Sequence, residues 1–173
     1  MKSNAVTYEP EDPGANRRWR WRSVLDLASW LLLCFAVAAI GGLFQPGDWY
    51  AGLRKPAWNP PAWVFAPVWT ALYTMMAIAA WLVWMRGGFA RQAAALWLFL
   101  AQLMFNGLWS PLFFGLRNPG LGLIDLGLLW LALLATVAAF WKARPIAAAL
   151  LLPYLAWTTF ALALNHALWR LNS

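Results

Sequence analysis

The sequence predicts an all-α integral membrane protein built as a bundle of five transmembrane helices. Of its 173 residues, 63% are hydrophobic and 11% are charged, whereas a soluble domain carries about 25% charged residues. The apolar residues recur in blocks of about 20, the length a helix needs to cross the hydrocarbon core of a bilayer. The chain also contains 15 Trp, a residue that concentrates at membrane–water interfaces. The predicted helices cover residues 24–44, 62–85, 92–114, 120–141 and 146–169.

Turn-forming segments separate these helices. The first helix ends at Gln45-Pro46-Gly47-Asp48, and the second ends at Arg86-Gly87-Gly88. The third and fourth end at Arg117-Asn118-Pro119-Gly120 and at Lys142-Ala143-Arg144-Pro145, which contain the turn residues Gly, Asn and Pro. Because these connections are short, neighbouring helices are predicted to be antiparallel. Only the connection between the first and second helices is long.

Residues 1–23 are predicted to be a polar and basic N-terminal extension of a five-helix domain at residues 24–172. Residues 8–14 are polar and Pro-rich, which predicts disorder. Residues 17–22 interleave arginine with tryptophan, which favours contact with anionic lipid headgroups. These charges lie far from the start of the chain, and no small-residue cleavage site follows the first apolar run. The first helix is therefore expected to remain in the mature protein.

The formal net charge is +7, and its distribution predicts membrane orientation rather than a nucleic-acid partner. Positively charged loops tend to stay in the cytoplasm. We therefore expect a cytoplasmic N-terminus in a bacterial cell membrane, with the long loop outside. The cations on the predicted cytoplasmic side are Lys2, Arg17, Arg18, Arg20, Arg22, Arg86, Arg91, Lys142 and Arg144, and those on the other side are Arg54, Lys55, Arg117 and Arg170.

The sequence offers little for metal or hydrolytic chemistry. Cys34 is the single cysteine, so no disulfide framework is possible. His166 is the single histidine and has no carboxylate near it in sequence, which argues against a metal site. No nucleophile–base motif or phosphate loop is visible. We therefore predict no metal and no required cofactor.

The segment 49–69 is the most unusual part of the chain. It combines five Trp or Tyr residues, four prolines and the cations Arg54 and Lys55. Trp and Tyr favour the membrane interface, where the ring is buried and the N–H or O–H stays wet. Proline stiffens a loop because its φ is fixed and it lacks an N–H. This pattern predicts a rigid aromatic lid over a ligand site.

Polar side chains inside a membrane helix are candidate sites, because an unpaired polar group is costly in lipid. Gln102 and Asn106 share one face of the third predicted helix with Trp109. Asn106 is equally compatible with an interhelical hydrogen bond and with the wall of a ligand cavity, whereas an interhelical hydrogen bond is favoured for Gln102. A structural role, as a cap, a snorkelling group or an ion-pair partner, is favoured for Asp125.

Two further groups leave alternatives open. Asn165 and His166 lie near the end of the fifth predicted helix, where an interfacial belt is the favoured interpretation. Trp69 and Trp157 lie deeper, and Pro153 removes a backbone hydrogen bond one turn before Trp157, which often produces a kink beside a cavity. The two tryptophans either fill space between helices or form the wall of a pocket, and periodicity alone favours filling.

A series of motifs runs in order over residues 30–172. It comprises residues 49–50, 53–61, 63, 67–69, 72–73, 101–103, 106, 109, 111–115, 125, 153–157, 164–165 and 169–170. Together these motifs resemble the signature of the TspO/MBR family, the translocator proteins and tryptophan-rich sensory proteins also called peripheral benzodiazepine receptors. The N-terminal extension lies outside the resemblance.

The resemblance implies a five-helix bundle, commonly a homodimer, with a pocket closed by the long loop. Ligands of the family include porphyrins such as protoporphyrin IX, sterols, and synthetic isoquinoline carboxamides and benzodiazepines; flat rings of this kind stack on Trp faces. The implied pocket residues are Phe65, Ala66, Trp69, Asn106, Trp109, Ile124, Leu128, Trp157, Ala161 and Leu164. The lid and entrance residues are Trp49, Tyr50, Arg54, Lys55, Trp58 and Trp63, with the two cations able to attract porphyrin propionates.

By resemblance, the favoured function is that of a membrane receptor or transporter-like protein that binds porphyrins, haem-related molecules or sterol-like ligands and is linked to tetrapyrrole or stress regulation. One alternative is a light-dependent enzyme that degrades protoporphyrin IX, since Trp69 and Trp157 match the tryptophans implicated in bacterial relatives. Another is a structural membrane protein with an incidental cavity. Two departures matter: His166 replaces a tyrosine of the family's sterol-recognition pattern, and Leu121 replaces a tryptophan of the mammalian members. The first weakens the expectation of sterol binding, and the second removes an aromatic wall.

Overall fold

The helices of this chain alternate with turns at the positions where Gly, Asn and Pro occur. A computed structural model describes the backbone of residues 13–173 and the side chains of residues 21–173. A 3-10 turn at Ala62–Val64 precedes the helix that follows the long loop. A π-helical turn at Pro111–Gly115 directly follows the helix that ends at Ser110. The α-helices are α1 (Pro13–Gly42), α2 (Asp48–Gly52), α3 (Phe65–Trp84), α4 (Gly88–Ser110), α5 (Pro119–Ala143) and α6 (Pro145–Asn172).

Five helical segments of the described chain are long and apolar enough to cross a membrane. This confirms the prediction of an all-α membrane protein with five transmembrane helices. The short helix α2 is an addition that the sequence pattern did not predict; it lies in the long loop between the first two crossings. The membrane-crossing segments are Trp21–Gly42, Ala62–Trp84, Gly88–Gly115, Pro119–Ala143 and Pro145–Asn172.

Two helix starts differ from the predicted ones by four residues or more. α1 is already helical at Pro13, the first residue whose backbone is described, well before the predicted residue 24, and residues 15–23 contain no Gly or Pro that would interrupt it. α4 begins at Gly88 instead of residue 92, directly after Gly87 adopts a left-handed φ of 113°. Of residues 8–14, which the sequence predicts to be disordered, residues 8–12 lie outside the described residues, and Pro13 and Gly14 belong to α1, so the prediction was wrong for those two residues.

Local sequence explains the antiparallel arrangement of α5 and α6. Asn118 caps α5, its side chain accepting a 3.0 Å hydrogen bond from the N–H of Leu121. Pro119 and Pro145 occupy the first positions of their helices, where the missing N–H costs nothing. Arg144 alone separates α5 from α6. So short a turn forces the two helices to run in opposite directions.

In cross-section the helices follow the order α1, α3, α6, α5, α4, and α1 closes the ring by contacting α3 and α4. Small residues permit close approach, as at Gly107, where an added Cβ would lie 2.9 Å from Cγ1 of Val37. Large apolar side chains such as Leu32, Trp97 and Leu131 are more than half exposed on the outside. This exposure suits a bilayer, because lipid tails are as apolar as leucine.

The two ends of the bundle differ in chemistry. The indole N–H of Trp81 donates to the carbonyl of Ser23 at 3.0 Å, so the start of the α1 crossing lies beside the end of α3. We call this the basic end, and the opposite end, which holds the loop 43–64, the lid end. The cytoplasmic placement of the basic end remains a prediction from charge. The basic end carries Arg22, Arg86, Arg91, Lys142 and Arg144, and the lid end carries Arg54, Lys55, Arg117 and Arg170.

Candidate functional site

The long loop is fixed to the end of α6 by a reciprocal pair of hydrogen bonds. The backbone N–H of Arg54 donates to Oδ1 of Asn172 at 2.9 Å, and Nδ2 of Asn172 donates to the carbonyl of Arg54 at 3.0 Å. Nδ2 of Asn172 also donates to the carbonyl of Leu168 at 2.8 Å, which holds the amide in place. The loop is therefore tied to the last turn of the bundle through its backbone.

The two predicted entrance cations differ in availability. The ammonium of Lys55 donates to the carbonyls of Ala51 and Leu53 at 3.1 and 3.2 Å and lies 4.8 Å from the ring centroid of Tyr50. Lys55 thus stabilises the end of α2, where a cation also complements the helix dipole. Arg54 uses its backbone for the link to Asn172 and is exposed, so its guanidinium is the entrance cation that can meet a ligand.

Aromatic rings of the lid pack edge-on against rings of the bundle. The centroid of Trp49 lies 5.8 Å from that of Phe113, and Tyr50 lies 5.4 Å from Phe114. Burial raises the pKa of the Tyr50 hydroxyl, which keeps it neutral. Such aromatic pairs contribute about 0.5–1.5 kcal/mol each beyond the area they bury. The lid therefore rests on the π-helical turn at the end of α4.

The other half of the lid reaches α6. The ring of Trp58 lies 5.8 Å from that of Phe160, and Phe160 lies 5.4 Å from Trp157. Trp63 is 74% exposed, which agrees with its predicted place at the interface. Through Phe160, the lid residue Trp58 is thus connected to Trp157, a residue of the predicted pocket wall.

Two aromatic walls lie beneath the lid, on α3 and on α6. Phe65 meets Trp157 at 5.9 Å, and one turn deeper Trp69 lies 5.5 Å from Tyr73 and 6.2 Å from Tyr154. All these rings belong to facing surfaces of the two helices. The two tryptophans of the alternative enzymatic hypothesis, Trp69 and Trp157, therefore both lie on the facing surfaces of α3 and α6.

Exposure changes along the stripe of α3 that holds Tyr73. Ala66 lies two turns before Tyr73 on this stripe, yet it is exposed whereas Tyr73 is buried. This stripe of α3 is therefore less covered near the lid end of the helix.

A buried polar centre joins three helices below the aromatic walls. The hydroxyl of Tyr73 on α3 donates to Oδ1 of Asn106 on α4, and Nδ2 of Asn106 donates to the hydroxyl of Tyr154 on α6 at 2.7 Å. An amide has two N–H donors and two acceptor lone pairs, so each half of Asn106 keeps one unused. Both interpretations of Asn106 are therefore compatible: it links helices and retains hydrogen-bonding capacity.

Sequence reasoning did not predict Tyr73 and Tyr154 as site residues. Tyr73 lies one turn after Trp69, and Tyr154 directly follows Pro153. A tyrosine on the same face as a candidate ligand residue is a usable signal, because a buried Tyr O–H needs a partner. Only the three-dimensional structure shows that both hydroxyls meet at Asn106.

Trp109 and Asn165 form a second polar link. Nε1 of Trp109 donates to Oδ1 of Asn165 at 3.1 Å, and Nδ2 of Asn165 donates to the carbonyl of Pro119 at 2.7 Å. The ring of Trp109 stacks on Phe113 at 5.0 Å. Trp109 thus connects α4, α6 and the start of α5, and its ring supports the lid contact at Phe113.

The interfacial interpretation of Asn165 was wrong, whereas that of His166 agrees with the structure. Asn165 is 2% exposed and points between helices, because successive helical residues are separated by about 100°. His166 is exposed and lies 6.0 Å from the ring of Trp169. On the outer face it borders a groove of about 470 Å³, lined by Leu123, Thr159, Leu162, Ala163 and His166.

The predicted pocket residues on α5 and α6 divide between two faces. Leu164 is buried against Phe113, and Ala161 is half-buried in the interior. Ile124 and Leu128 are 63% and 46% exposed. The buried face of α5 holds Gly122, Leu126 and Leu129, and helical periodicity puts Ile124 and Leu128 on the opposite side. The structure therefore turns these two side chains away from the aromatic walls.

Two buried polar side chains lack partners among the described residues. Gln102 is fully buried one turn below Asn106, and neither atom of its amide makes a hydrogen bond, so the predicted interhelical bond is absent. Asp125 is 5% exposed with Oδ2 unpartnered, so it does not snorkel to the interface. A polar group without a hydrogen bond is costly in a membrane interior. A polar ligand group that bonded to such a side chain would therefore gain more binding free energy than one that bonded elsewhere.

Comparisons with known proteins assign the chain to a family. The model of the TspO/MBR family matches residues 30–170. The chain belongs to the TspO/MBR family. It is 46% identical to the human "Translocator protein" over 138 residues, 77% of this chain and 82% of that protein. It is 42% identical to the "Tryptophan-rich sensory protein" of Cereibacter sphaeroides over 83% of this chain and 89% of that protein.

A third relative is matched over nearly its full length. The "Tryptophan-rich protein TspO" of Chlorobaculum tepidum is 42% identical over 155 residues, which cover 87% of this chain and 98% of that protein. The family match includes α3 to α5, α6 except its last two residues, and residues 30–42 of α1, together with the lid. The polar centre and the aromatic walls therefore lie inside the TspO/MBR region of the chain.

The polar centre yields a prediction about stability. Tyr73→Phe removes one hydrogen bond and should lower the free energy of unfolding by about 0.6–1.7 kcal/mol, the usual range for such bonds in membranes. Asn106→Leu removes both bonds and should cost about twice as much. Because the Tyr73 hydroxyl loses its partner in Asn106→Leu, adding Tyr73→Phe should then cost close to nothing. Equilibrium unfolding in mixed micelles measures the cycle.

Thr74→Val is the matched control for this cycle, since its hydroxyl bonds only within α3, to the carbonyl of Thr70 at 2.8 Å. It should change stability less than Tyr73→Phe. Equal effects of Tyr73→Phe with and without Asn106 would contradict the coupling of the two residues.

The lid anchor yields a second prediction. Asn172→Ala removes both hydrogen bonds to the Arg54 backbone and should accelerate amide hydrogen exchange at Arg54 about fivefold, as expected for the loss of about 1 kcal/mol. Exchange followed by mass spectrometry on peptides covering residues 48–60 tests this. Ser173→Ala is the control at the neighbouring exposed position. Unchanged exchange in Asn172→Ala would mean that the aromatic contacts alone hold the lid.

Proposed function

We propose that this TspO/MBR protein is a membrane receptor or transporter-like protein for flat polycyclic ligands, with porphyrins such as protoporphyrin IX as the leading class. The ligand lies between the lid and the Tyr73–Asn106–Tyr154 centre, against Trp69 and Trp157. Binding is linked to tetrapyrrole or stress regulation. The protein needs no cofactor for this role.

The observation that carries the proposal is the pairing of aromatic walls with a polar centre. Trp69 lies against both tyrosines of that centre, and Trp157 contacts Phe65 on the facing helix. Flat aromatic ligands stack on such rings, and a few polar groups orient them. The spare donor and acceptor of Asn106, and the unpartnered amide of Gln102 one turn below, supply those polar groups.

Charge at the lid end supports a ligand with carboxylates. Arg54, Arg117 and Arg170 are exposed there. Among the residues whose side chains are described, Asp48 is the acidic residue at this end. Excess positive charge attracts anions such as porphyrin propionates and increases their association rate. The relatives named for translocation and for sensing fit a protein that recognises a small molecule in the membrane.

A porphyrin titration tests the proposal. Purified protein is titrated with protoporphyrin IX in the dark, and binding is followed by the porphyrin's own fluorescence, because removal of a tryptophan alters protein emission. Saturable binding is expected, and Trp69→Phe and Trp157→Phe should each weaken it about twofold to tenfold, the value of an aromatic contact of about 0.5–1.5 kcal/mol. Competition by cholesterol shows whether sterols share the site.

Trp97→Phe is the matched control, since Trp97 is 63% exposed on the outside of α4. It should bind porphyrin like the wild type. The proposal fails if binding does not saturate, or if Trp97→Phe weakens it as much as the two inner variants.

The alternative function is light-dependent degradation of protoporphyrin IX, supported by the position of Trp69 and Trp157 on the facing surfaces of α3 and α6. In this scheme an indole transfers one electron to the photoexcited porphyrin, and the porphyrin radical anion passes that electron to dioxygen to give superoxide. The tryptophan radical cation is then reduced by the porphyrin, and the resulting porphyrin radical cation combines with superoxide, so that the porphyrin is oxygenated and the indole is regenerated. Illumination of the wild-type complex in air should then bleach porphyrin absorbance faster than illumination of the Trp69→Phe or Trp157→Phe complex. Trp97→Phe is again the matched control. Equal rates in wild type, inner variants and Trp97→Phe would exclude the enzymatic scheme and leave the binding function intact.

A further inference from the structure

A second concave site lies at the basic end, far from the lid. It is a cavity of about 640 Å³ between the α3–α4 turn and the end of α5. Three cations converge on it from two parts of the chain, and we call it the basic pocket. Its lining consists of Met85, Arg86, Gly87, Arg91, Gln92, Ala139, Lys142 and Ala143.

The backbone of the α3–α4 turn is shaped to form this pocket. Gly87 and Gly88 have φ values of 113° and 56°, which favour glycine over any residue with a Cβ. A Cβ on Gly87 would lie 2.7 Å from Cδ of Arg91, so the glycine makes room for the arginine to fold against the turn. Gln92 departs from helical geometry, with φ −126° and ψ 26°, although it lies within α4. These irregular positions all belong to the pocket or its rim.

The positive charge of the pocket is not neutralised by its lining. Among residues with described side chains, the acidic ones are Asp26, Asp48 and Asp125. Asp26 lies on α1 at the same end, and none of the three lines the pocket. Arg86, Arg91 and Lys142 therefore present their charges to whatever occupies the cavity. A phosphate group matches three converging cations, and Arg binds it in a fork geometry.

The position of the pocket identifies the source of the phosphate. The membrane-crossing segments end at Trp84 and Ala143 and resume at Gly88 and Pro145, so the pocket lies at headgroup level. Trp141, 55% exposed beside Lys142, is an aromatic residue of the kind found at this boundary. At this depth lipid phosphates are the abundant anions. The positive-inside rule explains cations at this end, but it requires neither a cavity nor left-handed glycines.

We propose that the basic pocket binds the phosphate-bearing headgroup of an anionic membrane phospholipid. Arg86, Arg91 and Lys142 hold the phosphate, and the apolar surface around Met85 and Ala139 faces the start of the acyl chains. Each cation near an anionic headgroup contributes about 1 kcal/mol, or about a fivefold change in affinity. The site is independent of the porphyrin site at the lid end.

Native mass spectrometry of the purified full-length protein in detergent, titrated with phosphatidylglycerol or phosphatidylcholine, tests the proposal. The wild type should bind phosphatidylglycerol in preference to phosphatidylcholine. Arg91→Gln and Lys142→Gln should each weaken phosphatidylglycerol binding about fivefold, and Arg91→Lys should restore most of the loss. Arg22→Gln, an equal loss of charge at the same end but outside the pocket, should bind as the wild type does.

Three results would overturn the proposal. The first is equal weakening in Arg22→Gln and in the pocket variants, which would mean diffuse surface charge. The second is unchanged binding in both pocket variants. The third is full displacement of phosphatidylglycerol by equimolar sn-glycerol 1-phosphate, which would assign the pocket to a soluble anion. Melting temperatures in lipid-free detergent confirm that each variant is folded, and porphyrin binding by the same samples shows that the lid end is intact.

Discussion

The structure depends on one constraint: inside a membrane, a polar group must find its partner within the protein. The hydrogen bonds from Tyr73 through Asn106 to Tyr154 meet that constraint for three helices at once. They join α3, α4 and α6, which are not all neighbours in the ring, and so define the interior around which α1 and α5 pack. Because water cannot compete for these groups, a single amide can set the relative positions of three helices. The same amide retains one donor and one acceptor, which makes a structural centre available for recognition.

The lid rests on a second set of contacts, separate from this centre. Its backbone is tied to Asn172 at the end of α6, and its rings rest on Phe113 and Phe160. Trp109 stacks on Phe113 and is itself held by Asn165, so the surface that receives the lid is fixed by a second buried polar link. Opening of the lid would break the hydrogen bonds to Asn172 and these edge-on aromatic contacts, but it would leave the Tyr73–Asn106–Tyr154 hydrogen bonds intact. This combination suits the proposed entry of a large, flat ligand at the lid end of the bundle.

The two ends of the molecule use positive charge differently. At the lid end Lys55 is engaged by the carbonyls of its own loop, and exposed arginines remain to meet a ligand. At the basic end Arg91 folds against a turn that only glycine permits, and the cations surround a cavity at headgroup depth. Total charge is therefore a poor guide to function in this protein. What matters is whether a cation is hydrogen-bonded to nearby backbone carbonyls, is left exposed, or lies beside other cations around a cavity.

The sequence by itself determined the five crossings, the turns between them, the aromatic lid and the membership of Asn106, Trp69 and Trp157 in one region, because these follow from apolar run length, turn residues and motif. The tertiary structure decided which face each residue shows. Asn165 turns inwards to Trp109 and His166 outwards, although they are adjacent in sequence. Ile124 and Leu128 face outwards on α5, and Gln102 is buried without a partner. The tyrosine partners of Asn106 and the convergence of Arg91 with Lys142 were likewise visible only in the fold. The physical reason is that run length and turn chemistry are local, whereas the rotation of each helix about its axis is set by contacts between segments far apart in the chain.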